Sequence, residues 1–378
     1  KRFPVLETAG IRKFFSGPES FTPDTNTLLG EVPEFKNFFV CCGLNSIGIG
    51  SGGGVGKVTA EWLINGHINE DIFSYDIKRF QKFHSELGFI KKRITETLGD
   101  LYGMHWPFKQ HKTSRNIKMV PYHKNLKDDG ACFGVSGGYE RPMWFALNKA
   151  KPQYEYSYSF QNWYPSAEFE TKNTRDNVGL FDLTPFSKFE LKSEIAHQEL
   201  QRICTGNIKN EIGKCTYTHM LNNDGGIEVD LTIVCLDKDY FRIISSAATR
   251  ERDKFHIKKH LSNSIELIDV TDDYCVLGLF GPKSRDLISN ISNDDFSNEK
   301  FKFATAKNID IDGINIWAQR LSYVGELGFE LYVKSRDSKK LYELIIKKGK
   351  NYNISNCGMH AMDTMRMESG FLHWGHDI

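Results

Sequence analysis

The sequence predicts an α+β multidomain fold, and three observations carry that reading. At 378 residues the chain has the length of two or three domains. Its texture changes twice: residues 1–80 are rich in glycine and short apolar runs, residues 81–173 mix Tyr, Trp, His and Lys without clean periodicity, and residues 174–378 carry regular strand and helix patterns. In that last region tight turns join successive strands, which marks α+β rather than a doubly wound sheet.

In the first region, Asn37-Phe38-Phe39-Val40-Cys41-Cys42-Gly43 is an apolar run ended by glycine and reads as a buried strand. A glycine-rich stretch follows, and residues 57–65 then read as a helix with Gly66 as its C-cap. Strand, glycine turn and helix together present free N–H groups and a positive dipole end to an anion. Gly48, Gly50 and Gly53 fit Gly-x-Gly-x-x-Gly formally, but they lie five residues past the strand with no clear second strand beyond. A Walker A loop is excluded, because Gly56-Lys57 leads into Val58 rather than Ser or Thr. The other reading of these glycines is a turn that lets the helix pack closely on the strand. Upstream, Gly17-Pro18-Glu19-Ser20-Phe21-Thr22-Pro23-Asp24 is a loop with fixed turns.

The last region carries the clearest elements. Residues 214–221 and 227–236 read as strands joined by the turn Asn222-Asn223-Asp224-Gly225-Gly226, with a third strand at 240–246 and a helix at 248–261. Strands at 314–323 and 329–333 flank Val324-Gly325-Glu326-Leu327-Gly328, and a Met-rich helix closes the chain at 357–370.

Composition narrows the function. The chain has 49 Lys+Arg against 48 Asp+Glu, a net charge of +1. No excess cation is available to neutralise phosphates, so nucleic acid is not the expected partner. With 40% hydrophobic and 13% aromatic residues, packed cores are expected rather than disorder. No apolar run reaches 18 residues, so no membrane-spanning helix is expected. The eight cysteines are scattered without a Cys-x-x-Cys pair and read as reduced thiols, with no metal site expected. The opening at Lys1, without a leader-like segment, leads us to expect a piece of a longer protein.

Several residues could carry chemistry. Asp230 is a carboxylate on an otherwise apolar strand, either a solvated strand face or, if it lines a cavity, a group suited to handling the proton of an amine. Glu326 and Glu330 flank a glycine turn, and a carboxylate can accept two parallel hydrogen bonds from a flat N–H edge such as a pterin; the alternative is two surface acids. Asp363 and Arg366 are three apart on one helix and suited to pair. His373-x-x-His376 has no third ligand nearby, and Cys275 reads as core.

Taken together the segments resemble the sarcosine and dimethylglycine dehydrogenase family. The marks in the first region are the loop 17–24, Gly43-Leu44-Asn45-Ser46-Ile47-Gly48 and Gly52-Gly53-Gly54; then come Tyr75-Asp76-Ile77-Lys78-Arg79-Phe80 and Gly138-Tyr139-Glu140-Arg141-Pro142-Met143-Trp144-Phe145. In the third region they are Met220-Leu221-Asn222 through Asp230-Leu231, Gly281-Pro282, and Tyr323-Val324-Gly325-Glu326-Leu327-Gly328-Phe329-Glu330. The resemblance implies the C-terminal part of an FAD-dependent oxidoreductase domain at 1–80, a central linker domain at 81–173, and an aminomethyltransferase-like folate-binding domain at 174–378. Tyr75-Asp76-Ile77, the 217–222 segment and His373-Trp374 resemble the sarcosine dehydrogenase branch in particular. The regulatory subunit of pyruvate dehydrogenase phosphatase and the free-standing aminomethyltransferases share parts of the pattern and are the alternatives.

What the resemblance implies is oxidative N-demethylation of sarcosine or dimethylglycine, with FAD and tetrahydrofolate as cofactors and transfer of the one-carbon unit to folate. Asp230 would be the catalytic carboxylate; Tyr323, Glu326, Glu330 and Arg366 would contact folate; Asn45, Ser46, Ile47 and Gly48 would lie near the flavin ring. An electron-transfer flavoprotein would be the acceptor and the mitochondrial matrix the location. In the family the dinucleotide fingerprint, the flavin-attaching histidine and the substrate base would precede Lys1, and the folate domain would continue past Ile378, so the piece alone is expected to be inactive. Ser245-Ser246 departs from folate-binding relatives, which often carry asparagine there.

Overall fold

The computed structural model describes residues 2–68, 70–148 and 150–378. Near the start, strands Leu28–Glu31 and Phe39–Cys42 form an antiparallel pair, and helix Gly48–Asn65 follows. Two expectations change here. The strand is not buried: Cys41 and Cys42 are exposed. An apolar run predicts that something covers it, and among the described residues one strand, Leu28–Glu31, pairs with it. The helix begins at Gly48 instead of at residue 57, so the glycines read as a turn are helical and Gly48, Gly50 and Gly53 form no phosphate loop. Each helical glycine costs about 1 kcal/mol relative to alanine, which is why propensity placed the start too late. Trp62 anchors the helix: its ring lies so close over Gly30 that a Cβ there would be 2.5 Å away, and it meets Phe39 edge-on at 6.1 Å. Gly66 does close the helix, in the left-handed region at φ 74°.

The two loop motifs lock this unit together. Asn45 Oδ1 accepts from the Thr22 N–H at 2.8 Å, and Arg79 holds Asp24 through two bonds of 2.6 and 3.0 Å. Lys78 is buried beside Asp76 at 3.0 Å, its ammonium 4.9 Å from the ring centres of both Trp62 and Phe255. Helix Leu87–Asp100 and the hairpin Ala131–Ser136/Tyr139–Phe145 follow. In that hairpin Glu140 receives Arg115 at 2.8 Å and the Asn116 N–H at 2.6 Å, while Val120, Tyr122 and Phe145 pack into the same core as Val178, Leu279 and Phe329.

Two sheets build the rest. The five-stranded sheet runs in the order Leu267–Asp269, Ser187–Lys192, Tyr240–Ser245, Ile227–Asp237, Cys215–Leu221. The six-stranded sheet runs Ala306–Ile311, Ile314–Gln319, Gly328–Lys334, Tyr274–Phe280, Val178–Asp182, Ile354–Cys357, with only the last pair parallel. Val229, Leu231 and Ile233 point into the core shared with helix Arg250–His260, while Val234 and Ile244 face a second core shared with Trp317, Tyr332 and Met365. Helix Met359–Glu368 and helix Tyr164–Asp176 pack beside the parallel pair. The expected hairpin 215–237, third strand and following helix all form within two residues of their predicted bounds.

Candidate functional site

The site grows from the Asn222–Gly226 turn. Asn222 Oδ1 accepts the Asp224 and Gly226 N–H groups at 3.0 and 2.8 Å, which fixes the loop and hence the register of the strands it joins. That register pairs His219 with Asp230. With Val229 and Leu231 turned into the core, period-two alternation puts Asp230 on the opposite face, with Glu228 and Thr232. Asp230 is thus neither an edge group nor a core group. Its side chain is 24% exposed and its Oδ1 is shielded with no hydrogen-bond partner among the described residues. His219 Nε2 lies 3.6 Å from that oxygen, and the Tyr217 hydroxyl lies 3.2 Å from the same nitrogen.

Tyr217 is largely exposed, and partial desolvation of its hydroxyl together with the Asp230 charge raises it above its ordinary range. Tyr323 is raised by burial too; Asp230 adds to the shift and Arg366 opposes it. Tyr323 thus feels the Asp230 charge, and its hydroxyl donates to the Leu372 carbonyl at 3.0 Å. Beneath the sheet Asp253, 1% exposed, is pushed up to about 7 by burial and accepts from Thr249 Oγ1 at 2.6 Å.

The remaining residues disperse. Glu330 keeps partial solvent contact, yet enough protein surrounds its carboxyl that burial pushes it up to about 7, against the Tyr332 hydroxyl donating at 2.9 Å. Opposite it in register is Gln319, fully buried with neither amide atom partnered among the described residues. A carboxyl raised by burial beside an amide with no partner among the described residues is a donor–acceptor pair of the kind the edge of a flat heterocycle matches. Glu326 points elsewhere, to Arg175 at 2.9 Å, and Arg175 also holds Glu368 at 2.9 Å. Arg366 is committed to its own surroundings: Nε donates to Asp363 at 2.8 Å and Nη1 to the Phe371 carbonyl and to Asp377. Glu326 and Arg366 are thus ion-pair members, their charges already met.

At the N-terminal unit, Asn45 is 2% exposed with its amide used on Thr22 and Gly43. Asn45 and Ser46 adopt φ of 48° and 68°, strained for non-glycine residues, and so turn the chain into the helix at Gly48. Ile47 is exposed, and the first N–H groups of the helix lie beside it. A flavin ring would find there a dipole end and an apolar side chain, but no free Asn45 amide. Among the described residues one group, Glu96, Asp100 and His111, brings three possible metal ligands together. Lys109 already binds Asp100 at 2.6 Å, and the Lys112 and Thr113 N–H groups occupy Glu96.

The chain matches the GCVT N-terminal domain over residues 122–378 and the FAD dependent oxidoreductase central domain over 65–119. It belongs to the sarcosine/dimethylglycine dehydrogenase-like family. It is 38% identical over 376 residues to 4-methylaminobutanoate oxidase (formaldehyde-forming) of Paenarthrobacter nicotinovorans, covering 99% of this chain and 46% of that protein. It is 31% identical over 418 residues to mitochondrial sarcosine dehydrogenase of Mus musculus, covering 100% of this chain and 46% of that protein. The chain therefore spans just under half the length of these relatives. Glycine cleavage system aminomethyltransferase T from Bartonella henselae shares the fold, with a TM-score of 0.58 at 22% identity over 69% of this chain and 65% of that one. The expected nearness to the sarcosine branch does not stand out against the higher identity to the oxidase.

Tyr217 and His219 entered the sequence reading only as part of the 217–222 segment, with no chemical role, and Gln319 and Arg175 not at all. For the first two the signal was present: alternation across a turn of known length places them on Asp230's face. For Gln319 and Arg175 the partners lie 11 and 151 residues away, with no local pattern to mark them.

Proposed function

We propose that the chain forms the one-carbon-handling part of an FAD-dependent oxidoreductase that demethylates a small N-methylated amino acid and passes the carbon to tetrahydrofolate. Asp230 carries this reading: a carboxylate whose Oδ1 is shielded and unpartnered among the described residues, with His219 Nε2 3.6 Å away and its charge felt by Tyr217 and Tyr323. The carboxylate accepts the proton of the folate nitrogen as that nitrogen attacks the oxidised N-methyl carbon. Glu330 and Gln319 offer the acceptor and donor for the pterin edge. Bound FAD would supply the hydride acceptor, at the start of the helix reached through Asn45, Ser46, Ile47 and Gly48. We assign residues 1–80, 81–173 and 174–378 to the flavin, linker and folate units. Sarcosine, dimethylglycine and 4-methylaminobutanoate are the substrates to compare, an electron-transfer flavoprotein is the proposed acceptor, and the mitochondrial matrix the proposed location.

The test uses the full-length protein with each amine, with and without tetrahydrofolate. Asp230→Asn is expected to leave flavin reduction intact and to shift product from methylene-tetrahydrofolate to formaldehyde, with a loss on the order of 10²-fold in folate product. An unchanged product ratio, or no flavin reduction by any of the three amines, refutes the proposal.

A further inference from the structure

Resting on that function, we infer that His219 is a positioning residue that carries the proton away from Asp230. The observation behind it is an exit problem. Asp230 Oδ1, the oxygen that faces His219, is shielded and unpartnered among the described residues while the side chain as a whole keeps 24% exposure, so a proton held on that oxygen has His219 as its nearest base. Among the described residues the one basic side chain within 4 Å of Asp230 is His219, with Nε2 at 3.6 Å, and the His219 side chain is 29% exposed. Hairpin register, not chance rotation, holds the two opposite each other.

The other charged groups around the pair do not offer the same exit. Tyr217, on the same strand as His219, and Tyr323, from the loop facing it, are both held protonated. Glu228, two residues before Asp230, is engaged by Arg252 at 2.7 Å. Asp363 and Arg366, behind Tyr323, are paired with each other at 2.8 Å. Asp253, on the helix packed beneath the sheet, is raised by burial and is held by Thr249.

The proton balance is simple. The N–H bond of the attacking amine breaks, its electron pair remains on nitrogen to bond the one-carbon electrophile, and the proton forms an O–H bond on Asp230. That O–H bond then breaks as His219 Nε2 takes the proton. The resulting imidazolium gives its Nδ1 proton to water, and exchange with solvent then returns the remaining proton from Nε2 to Nδ1, which restores the tautomer that can accept again. The 3.6 Å separation shortens to a hydrogen bond once the carboxyl is protonated. The Tyr217 hydroxyl, 3.2 Å from Nε2, holds the ring in place for this step.

The experiment follows flavin reduction and methylene-tetrahydrofolate formation in the full-length protein, for the unsubstituted enzyme, His219→Gln and His219→Asn. Both variants are expected to reduce flavin at the normal rate and to form folate product on the order of tenfold more slowly, less than the loss for a direct proton acceptor. Added millimolar imidazole is expected to restore the rate, a response that lost packing would not give. Variants with undiminished folate product, or with a loss that imidazole does not relieve, overturn the relay and leave the role of Asp230 standing. Formaldehyde as the sole product of the unsubstituted protein overturns the proposed function, and the relay with it.

Discussion

Gly358 precedes helix Met359–Glu368 and lies against the strand Tyr139–Phe145. Alanine at this position tests how tightly the helix carrying Arg366 is fixed. A Cβ built there would be 2.2 Å from the carbonyl carbon and oxygen of Met143 and 2.4 Å from the Trp144 nitrogen. These are backbone atoms and cannot rotate aside. The backbone angles, φ −101° and ψ −179°, are open to alanine, so the cost is steric alone. Relief requires the helix to lift, which breaks the 2.7 Å bond from the Gly358 N–H to the buried Glu170 carboxyl. Overpacking costs about 1–3 kcal/mol, and losing a hydrogen bond to the Glu170 carboxyl, which burial holds protonated near neutral pH, about 0.5–1.5 kcal/mol more. For a unit of this size each kcal/mol lowers Tm by about 2–4 °C, so Gly358→Ala should melt on the order of 10 °C below the parent by differential scanning calorimetry. Gly54→Ala is the counterpart: it is helical, and a Cβ there meets nothing within 4 Å. It should gain about 0.5–1 kcal/mol. A Gly358→Ala protein melting within a degree of the parent would refute the steric argument.

Two buried ionisable groups give pH signatures. Burial raises Glu170 to about 8, against two backbone N–H bonds of 2.7 Å. A raised carboxyl stabilises the fold fully below its unfolded pKa and loses that contribution as pH rises towards 8. Glu170→Gln removes the ionisation, so its Tm should gain on the parent's between pH 5 and 9; a constant offset would rule the reasoning out. Burial lowers Lys188 to about 7, its ammonium donating, among the described residues, to the Thr184 and Phe186 carbonyls at 2.9 and 2.7 Å. A depressed lysine contributes stability above its unfolded pKa and loses it as pH falls through 7. Lys188→Met should therefore gain on the parent as pH drops from 10 to 6, and parallel melting curves would contradict this.

What the sequence reveals divides along a physical line. The hairpin around Asn222–Gly226 is legible because a turn's chemistry is local and the period-two pattern beside it fixes which face Asp230 takes. Gly66 is legible as a cap for the same reason. The start of helix Gly48–Asn65 is not, because its glycines oppose the helix and only contacts such as Trp62 over Gly30 retain it. Glu326 and Glu330 look equivalent at a spacing of four, yet one meets Arg175 and the other is enclosed beside Gln319. Charge pairing across the chain decides that, and spacing cannot carry it.

Lys78 has one more consequence. Its ammonium is gripped between Trp62 of the N-terminal helix and Phe255 of the helix beneath Asp230's sheet, with Asp76 as counter-ion. Sliding one unit across the other would first have to withdraw a cation from between two rings, so this point behaves as a rivet rather than a hinge.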